Sequence, residues 1–187
     1  MSREEIVIGG FGGQGIILAG YIIGQAASIY ERKNATLTQN YGPEARGGAC
    51  RAQVVISDSP ISYPYIDSPS VLVVMSQEAY TRYAPELSKD APLLIDEDLV
   101  KPNKATSNKI FAIPATRLAQ ELGRRAVANI LMLGFFTAVT KIVPVDAMEK
   151  AVLVSVPKGT EELNMKAFER GYNYGLEKLK SSQLEAR

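Results

Sequence analysis

Apolar residues along the chain fall into short blocks separated by stretches of helical spacing. The blocks at Ile6-Val7-Ile8, 35–39, 51–57 with Val54-Val55-Ile56 at its centre, 71–75, 92–96 and 110–114 read as strands. The uninterrupted Val71-Leu72-Val73-Val74-Met75 predicts a central strand buried on both faces. Between these blocks, Ile17, Leu18, Ile22, Ile23, Ala26, Ala27 and Tyr30 recur at helical spacing and predict a helix over 14–31. Gly20 and Gly24 would let that helix lie close to a neighbour or to the sheet. Ser76 is the expected cap of a helix over 77–87, with Glu78 in its first turn. Further helices are expected from Thr116 to Leu122, over about 126–141, from an Asp146 cap to Val156, and from Thr160 toward Leu179. The helix over 126–141 is apolar on most sides, so it is expected to lie buried between the sheet and another layer. Pro60, Pro64 and Pro69 make the connection around Tyr63 and Tyr65 extended, and those two rings read as packing or interface aromatics. The polar tail 180–187 is expected to fray. Strands alternating with helices give an α/β class, and 187 residues suit a single domain over one sheet.

The first strand runs straight into Gly9-Gly10-Phe11-Gly12-Gly13-Gln14-Gly15, ahead of the apolar helix start Ile16-Ile17-Leu18-Ala19. A strand, a glycine turn and a helix in that order form a corner where backbone amides are open to an anion. Gly10, Gly12 and Gly15 satisfy the spacing G-x-G-x-x-G. A dinucleotide site also wants a carboxylate at the end of the second strand, and Gln39-Asn40-Tyr41 stands there, with none before Glu44. Three readings stay open on the residues: a tight turn that binds nothing, an NAD(P) site, and a loop facing a partner subunit and the ligand that partner holds.

A second unusual stretch, Asn40-Tyr41-Gly42-Pro43-Glu44-Ala45-Arg46-Gly47-Gly48-Ala49, cannot continue as helix or strand through its proline and glycine pair. In a doubly wound sheet it leaves the carboxyl end of the second strand, as the glycine loop leaves the first, so both loops are expected on one rim. Arg46, with Arg51 as a possible second cation, would then face bare amides across that rim, an arrangement suited to a carboxylate or phosphate. The plain alternative is a surface loop in which Arg46 pairs with Glu44.

Composition narrows the chemistry. The chain has one cysteine, Cys50, and no histidine, which rules out internal disulfides, the usual zinc sets, an iron–sulfur cluster bound by this chain alone, and a hydrolase with a histidine base. Cys50 is expected to be a small buried filler. A net charge of +1 offers no excess to hold a polyanion, so nucleic acid is not an expected partner. The longest apolar stretch, 129–136, is too short for a membrane span, no export signal is visible at the start, and a cytoplasmic location is expected.

Taken together, Gly10-Phe11-Gly12-Gly13-Gln14-Gly15 and Asn40-Tyr41-Gly42-Pro43-Glu44-Ala45-Arg46-Gly47-Gly48 resemble the gamma subunit of the 2-oxoacid:ferredoxin oxidoreductases, most of all the 2-oxoglutarate branch. Later pieces resemble it too: Val73-Val74-Met75-Ser76-Gln77-Glu78-Ala79, Ala128-Asn129, Leu133-Gly134 and Ala167-Phe168-Glu169-Arg170-Gly171. The resemblance implies a single three-layer α/β/α domain over 1–187, with a Rossmann-like sheet of mainly parallel strands. It implies a share in oxidative decarboxylation of a 2-oxoacid with coenzyme A, giving acyl-CoA, carbon dioxide and reduced ferredoxin. Thiamin diphosphate, Mg2+ and [4Fe-4S] clusters would reside on alpha, beta and delta partners, with none bound by this chain. Gly10, Gly12, Gly13, Gln14, Gly15, Tyr41, Gly42, Glu44, Arg46, Gly47 and Gly48 would form loops at a ligand or subunit interface, with no catalytic residue assigned. The rivals are a free-standing NAD(P)-binding oxidoreductase and a non-catalytic scaffold.

Overall fold

The computed structural model describes residues 3–41, 49–103 and 108–185. Strands β1 (Arg3–Phe11), β2 (Asn34–Tyr41), β3 (Ala49–Ser57), β4 (Val71–Val74), β5 (Leu93–Asp96) and β6 (Ile110–Ile113) form one sheet in the order β2-β3-β1-β4-β5-β6. β1, β4, β5 and β6 are mutually parallel, while β3 runs antiparallel to both β1 and β2. The helices are α1 (Ile16–Gln25), α2 (Gln77–Tyr83), α3 (Ala115–Glu121), α4 (Ala128–Thr140), α5 (Val145–Ser155) and α6 (Glu161–Glu185).

Alternation along β1 divides the molecule into layers. Ile6 and Ile8 face a core shared with Val54, Val73, Leu94, Ile22 of α1, Phe135 of α4 and Phe168 of α6. Val7 faces the other way, into a core with Leu72, Val74, Leu93, Ile66 and the α2 residues Ala79, Tyr80 and Tyr83. Helices on both faces of a mainly parallel sheet match the expected three-layer arrangement. The all-round apolar helix is α4, with every residue from Ala128 to Ala138 buried. Its neighbour α6 lies unusually close: a Cβ at Gly134 would overlap the Phe168 carbonyl oxygen, and one at Gly171 would overlap the Leu131 carbonyl oxygen. Glycine at both positions lets the two helix backbones touch.

Several expectations are corrected. The edge at β2 and β3 is a meander instead of the expected doubly wound unit, because β3 is inserted antiparallel between β1 and β2. Both β2 and β3 extend further than expected, taking in Tyr41 and Ala49. The helix over 14–31 is α1 followed by a wider π turn, Ala26–Tyr30. Gly20 does serve close packing, since a Cβ there would stand 2.8 Å from Ala52 Cβ, whereas Gly24 has ordinary clearance. Ser76 caps α2 by accepting from the Ala79 amide at 3.2 Å, as expected. Asp146 is no cap: Pro144 holds that position and Asp146 sits in the first turn of α5. The tail stays helical to Glu185.

Candidate functional site

β1 ends at Phe11, and the chain turns through Gly13 (φ 92°) and Gly15 (φ 72°) into α1. Both glycines hold the left-handed conformation that other residues adopt only at a cost. Inside the turn, Gln14 accepts from the Phe11 amide at 2.6 Å and donates to the Met75 carbonyl at 2.8 Å. The Met75 amide in turn donates to the Gly9 carbonyl at 2.9 Å. The ends of β1 and β4 are thus pinned together. From β1 the chain passes to α1 on one face, and from β4 to α2 on the other. A crevice opens where connections diverge in this way, beyond the carboxyl ends of the strands.

That crevice is a cavity of about 360 Å³ lined by Gly12, Gly13, Gln14, Met75, Thr116 and Arg125. Thr116 is fixed from below. The fully buried Asp96 at the end of β5 accepts from the Thr116 amide at 3.0 Å and from its hydroxyl at 2.6 Å. Asp98 accepts from the Arg117 amide at 2.9 Å. Pro114 makes no side-chain cap bond at the start of α3, so these two carboxylates from the β5 end satisfy its first amides. Burial pushes the Asp96 carboxyl above its usual range, against the opposing pull of the Thr116 and Asp98 hydrogen bonds.

A second cavity, of about 190 Å³, adjoins the first and shares Gly13 and Ala126 with it. Its lining includes Gly15, Arg124, Asn129, Thr160 and Asn164. Asn129 is buried and donates to the Gly15 carbonyl at 3.3 Å. Arg124 and Arg125, both exposed, stand in the turn between α3 and α4, one in each cavity. Among the described residues neither side chain has a hydrogen-bond, ion-pair or ring partner.

Of the expected site residues, Gly12, Gly13 and Gln14 line the first cavity, and Gly13 and Gly15 the second. Gly10 lines neither: its bare Cα makes room for Gln14 Oε1 and the Ile16 side chain. Gln14 spends its side-chain amide on Phe11 and Met75, so it holds the shape of the loop where it lines the first cavity. Gly42, Glu44, Arg46, Gly47 and Gly48 lie outside the described residues. The two ends of their segment are described. Tyr41 stands opposite Cys50, and Cys50 opposite Gly10, so the segment leaves and re-enters the sheet on the same rim as the glycine loop.

Arg51 does not join that rim as a second cation. It turns to the α2 face, where its guanidinium donates to Glu86 at 2.7 Å and to the Ile66 carbonyl at 3.2 Å, and lies over the Tyr83 ring. Cys50 is buried, and burial pushes its thiol up, as suits a filler. The strand beside β1 on this rim is β3, which begins with Ala49-Cys50 and offers no carboxylate to a ribose. The end of β2 is two strands away, at roughly 10 Å. This geometry argues against an NAD(P) site.

Reading the sequence missed Arg124, Arg125 and Thr116 as site residues. The available signal was Gly123-Arg124-Arg125, two cations in a break between helices and remote from both glycine motifs.

Residues 5–174 match the family described as pyruvate ferredoxin/flavodoxin oxidoreductase. The chain is 51% identical over 178 residues to 2-oxoglutarate synthase subunit KorC of Methanocaldococcus jannaschii, covering 94% of this chain and 95% of that one. It is 50% identical over 176 residues to the KorC subunit of Methanothermobacter thermautotrophicus, covering 90% and 93%. Among solved structures it superposes on the keto/oxoacid ferredoxin oxidoreductase gamma subunit of Geobacter sulfurreducens with a TM-score of 0.87 and 42% identity, over 94% of this chain and 98% of that one. With residues 5–174 matched and nearly the whole length of both chains shared in this way, the chain belongs to the pyruvate ferredoxin/flavodoxin oxidoreductase family.

Proposed function

We propose that this chain is the gamma subunit of a cytoplasmic 2-oxoglutarate:ferredoxin oxidoreductase. The complex converts 2-oxoglutarate and coenzyme A to succinyl-CoA and carbon dioxide, and passes two electrons to ferredoxin. The observation that carries the reading is the 51% identity to a 2-oxoglutarate synthase subunit along nearly the full length of both chains.

The chain's own residues do not suit the redox cofactors of such a complex. One buried cysteine and no histidine cannot ligate an iron–sulfur cluster, and among the described residues no cluster of acidic, cysteine or histidine side chains could hold a metal ion. In this reading thiamin diphosphate, Mg2+ and [4Fe-4S] clusters belong to the alpha, beta and delta partners. Among the described residues no helix is long and apolar enough to cross a membrane.

What the chain contributes is a rim. The amides around Gly12 and Gly13 with Arg125 make a site for one anionic group, a substrate carboxylate or a phosphate of coenzyme A. Arg46, on a segment rooted in the same rim, adds a second cation to the reaction chamber that the partners close. Packing the rim against them excludes water and orders the anion before chemistry begins.

Co-expression with the thiamin-binding and cluster-binding subunits tests the assignment. The purified complex is expected to reduce ferredoxin with 2-oxoglutarate and coenzyme A at a kcat/KM at least about tenfold above that for pyruvate or a branched-chain 2-oxoacid. Preference for pyruvate would overturn the substrate, and turnover by a complex lacking this chain would overturn the subunit role. An Arg46→Ala complex with unchanged affinity for both 2-oxoglutarate and coenzyme A would remove Arg46 from the site.

A further inference from the structure

The two edges of the sheet are built differently. β6 is four residues long and starts beside Lys109, whose ammonium lies over the Phe111 ring, and a short strand with a lysine at its end is a guarded edge. β2 runs for eight residues, Asn34-Ala35-Thr36-Leu37-Thr38-Gln39-Asn40-Tyr41, with no charged side chain and no proline. It pairs with β3 residue for residue, from Asn34 opposite Ser57 to Tyr41 opposite Cys50, so no bulge bends it away. Among the described residues no strand pairs with its outer side. A long, regular, uncharged edge is a template for another strand.

Both faces beside that edge are unfinished. On the α1 side, where Ala35 and Leu37 pack, a groove of about 240 Å³ runs between the helix and β2. Tyr21 of α1 and Ile29 of the π turn border it and are 51% and 64% exposed. On the α2 side, Thr36 stands opposite Val55, and its hydroxyl oxygen is buried without a hydrogen-bond partner among the described residues. Open apolar surface and an unpaired buried hydroxyl each cost free energy in a copy that stays alone.

We propose that a second copy of this chain covers the edge, joined β2 to β2 about a two-fold axis that is normal to the sheet and passes through Leu37. In that register the strand is complementary to itself. On the α1 side Leu37 meets Leu37 of the second copy, and Ala35 meets Gln39. On the α2 side Thr36 meets Thr38, and Asn34 meets Asn40. Leucine, threonine and asparagine each face their own kind, and no like charges are brought together. Thr38 donates to Gln53 at 3.1 Å and keeps a lone pair for the Thr36 hydroxyl of the other copy. The two α1 helices lie on the same face, so pairing the strands brings them together across the axis and takes Tyr21 and Ile29 out of water. Antiparallel pairing also points the two glycine-loop rims in opposite directions, which leaves each rim free. The pairing goes beyond the functional reading and does not depend on it.

Cysteine cross-linking reads the register. Residues directly opposite in antiparallel strands have Cα atoms about 4.5–5.5 Å apart, within the span of a disulfide, and only a residue on the axis stands opposite itself. In a Cys50→Ser background, Leu37→Cys is expected to link two copies under mild oxidation at least about tenfold faster than Gln39→Cys, both in the purified chain and in the assembled complex. Sedimentation of the parent chain at about 50 μM should give twice the mass of one chain. Tyr21→Lys combined with Ile29→Lys, both on the open surface of a single copy, should weaken that association at least about tenfold and leave the circular dichroism spectrum unchanged. A parent chain of single mass with no Leu37→Cys link in the complex would overturn the pairing. So would a Leu37→Cys link no faster than that of Gln39→Cys, or association untouched by the two lysines. Protection of the β2 amides from hydrogen exchange only when the thiamin-binding and cluster-binding subunits are present would give the edge to one of them and refute the second copy.

Discussion

Gln14 and Met75, 61 residues apart, are joined by a hydrogen bond of 2.8 Å from the glutamine side chain to the methionine carbonyl, and with the bond from the Met75 amide to the Gly9 carbonyl it pins the ends of β1 and β4 together. The other end of the same amide accepts from Phe11 at 2.6 Å. The glycine loop is therefore held by its own glutamine. Gln14→Ala is expected to lower stability by about 1–2 kcal/mol, the net worth of two partly exposed hydrogen bonds. It should also raise KM for the anionic ligand. Urea denaturation of the purified chain measures the first effect, and a change below about 0.3 kcal/mol would show that the loop holds its shape without Gln14.

Gly15 combines a left-handed backbone with contact against Asn129. Gly15→Ala is expected to cost more than about 2 kcal/mol, part of it conformational and part steric. Adding Asn129→Ala should recover the steric part and leave about 1 kcal/mol of backbone cost. A double-mutant cycle with zero coupling would contradict the contact.

The α4 and α6 backbones touch at Gly134 and Gly171. Gly171→Ala is expected to yield little or no folded protein, because the methyl group meets a carbonyl on a rigid helix and cannot be accommodated by a side-chain shift. Gly159 gives the contrast. It is left-handed with open space around it, so Gly159→Ala should cost only about 1 kcal/mol. Thermal unfolding followed by circular dichroism distinguishes them, and similar midpoints for the two variants would refute the close crossing.

Asp96 makes stability depend on pH with a defined sign. Burial raises its folded-state pKa above that of the unfolded chain, so the folded protein binds the proton more tightly. The resulting stability is fully present below the ordinary carboxylate pKa and is lost as pH rises through the raised value. Asp96→Asn keeps an acceptor for Thr116 and removes the titration. The stability of the parent minus that of Asp96→Asn should therefore fall with rising pH across that window. A difference that rises instead would mean that the Thr116 and Asp98 hydrogen bonds outweigh burial.

Much of the site was written in local pattern. Gly13 and Gly15 sit in the glycine loop because a strand that turns at once into a helix needs left-handed residues there wherever the rest of the chain goes. Arg51 shows the limit. In sequence it follows Arg46 by five residues, but alternation along β3 sends it to the face opposite α1, onto Glu86 and Tyr83. Gln14 looked like a residue open to a ligand, and its use for Met75 depended on which strand would lie beside β1.

The chain by itself determined its elements, its class and its poverty of metal and redox ligands, since periodicity, turn residues and composition act over a few neighbours. Only the tertiary structure decided that β3 would enter antiparallel between β1 and β2, and that Arg124, Arg125 and Thr116 would meet the glycine loop across more than 100 residues. Strand order is a choice among pairings that bury similar apolar area, and it is settled by contacts such as Ala52 against Gly20 that no short segment contains.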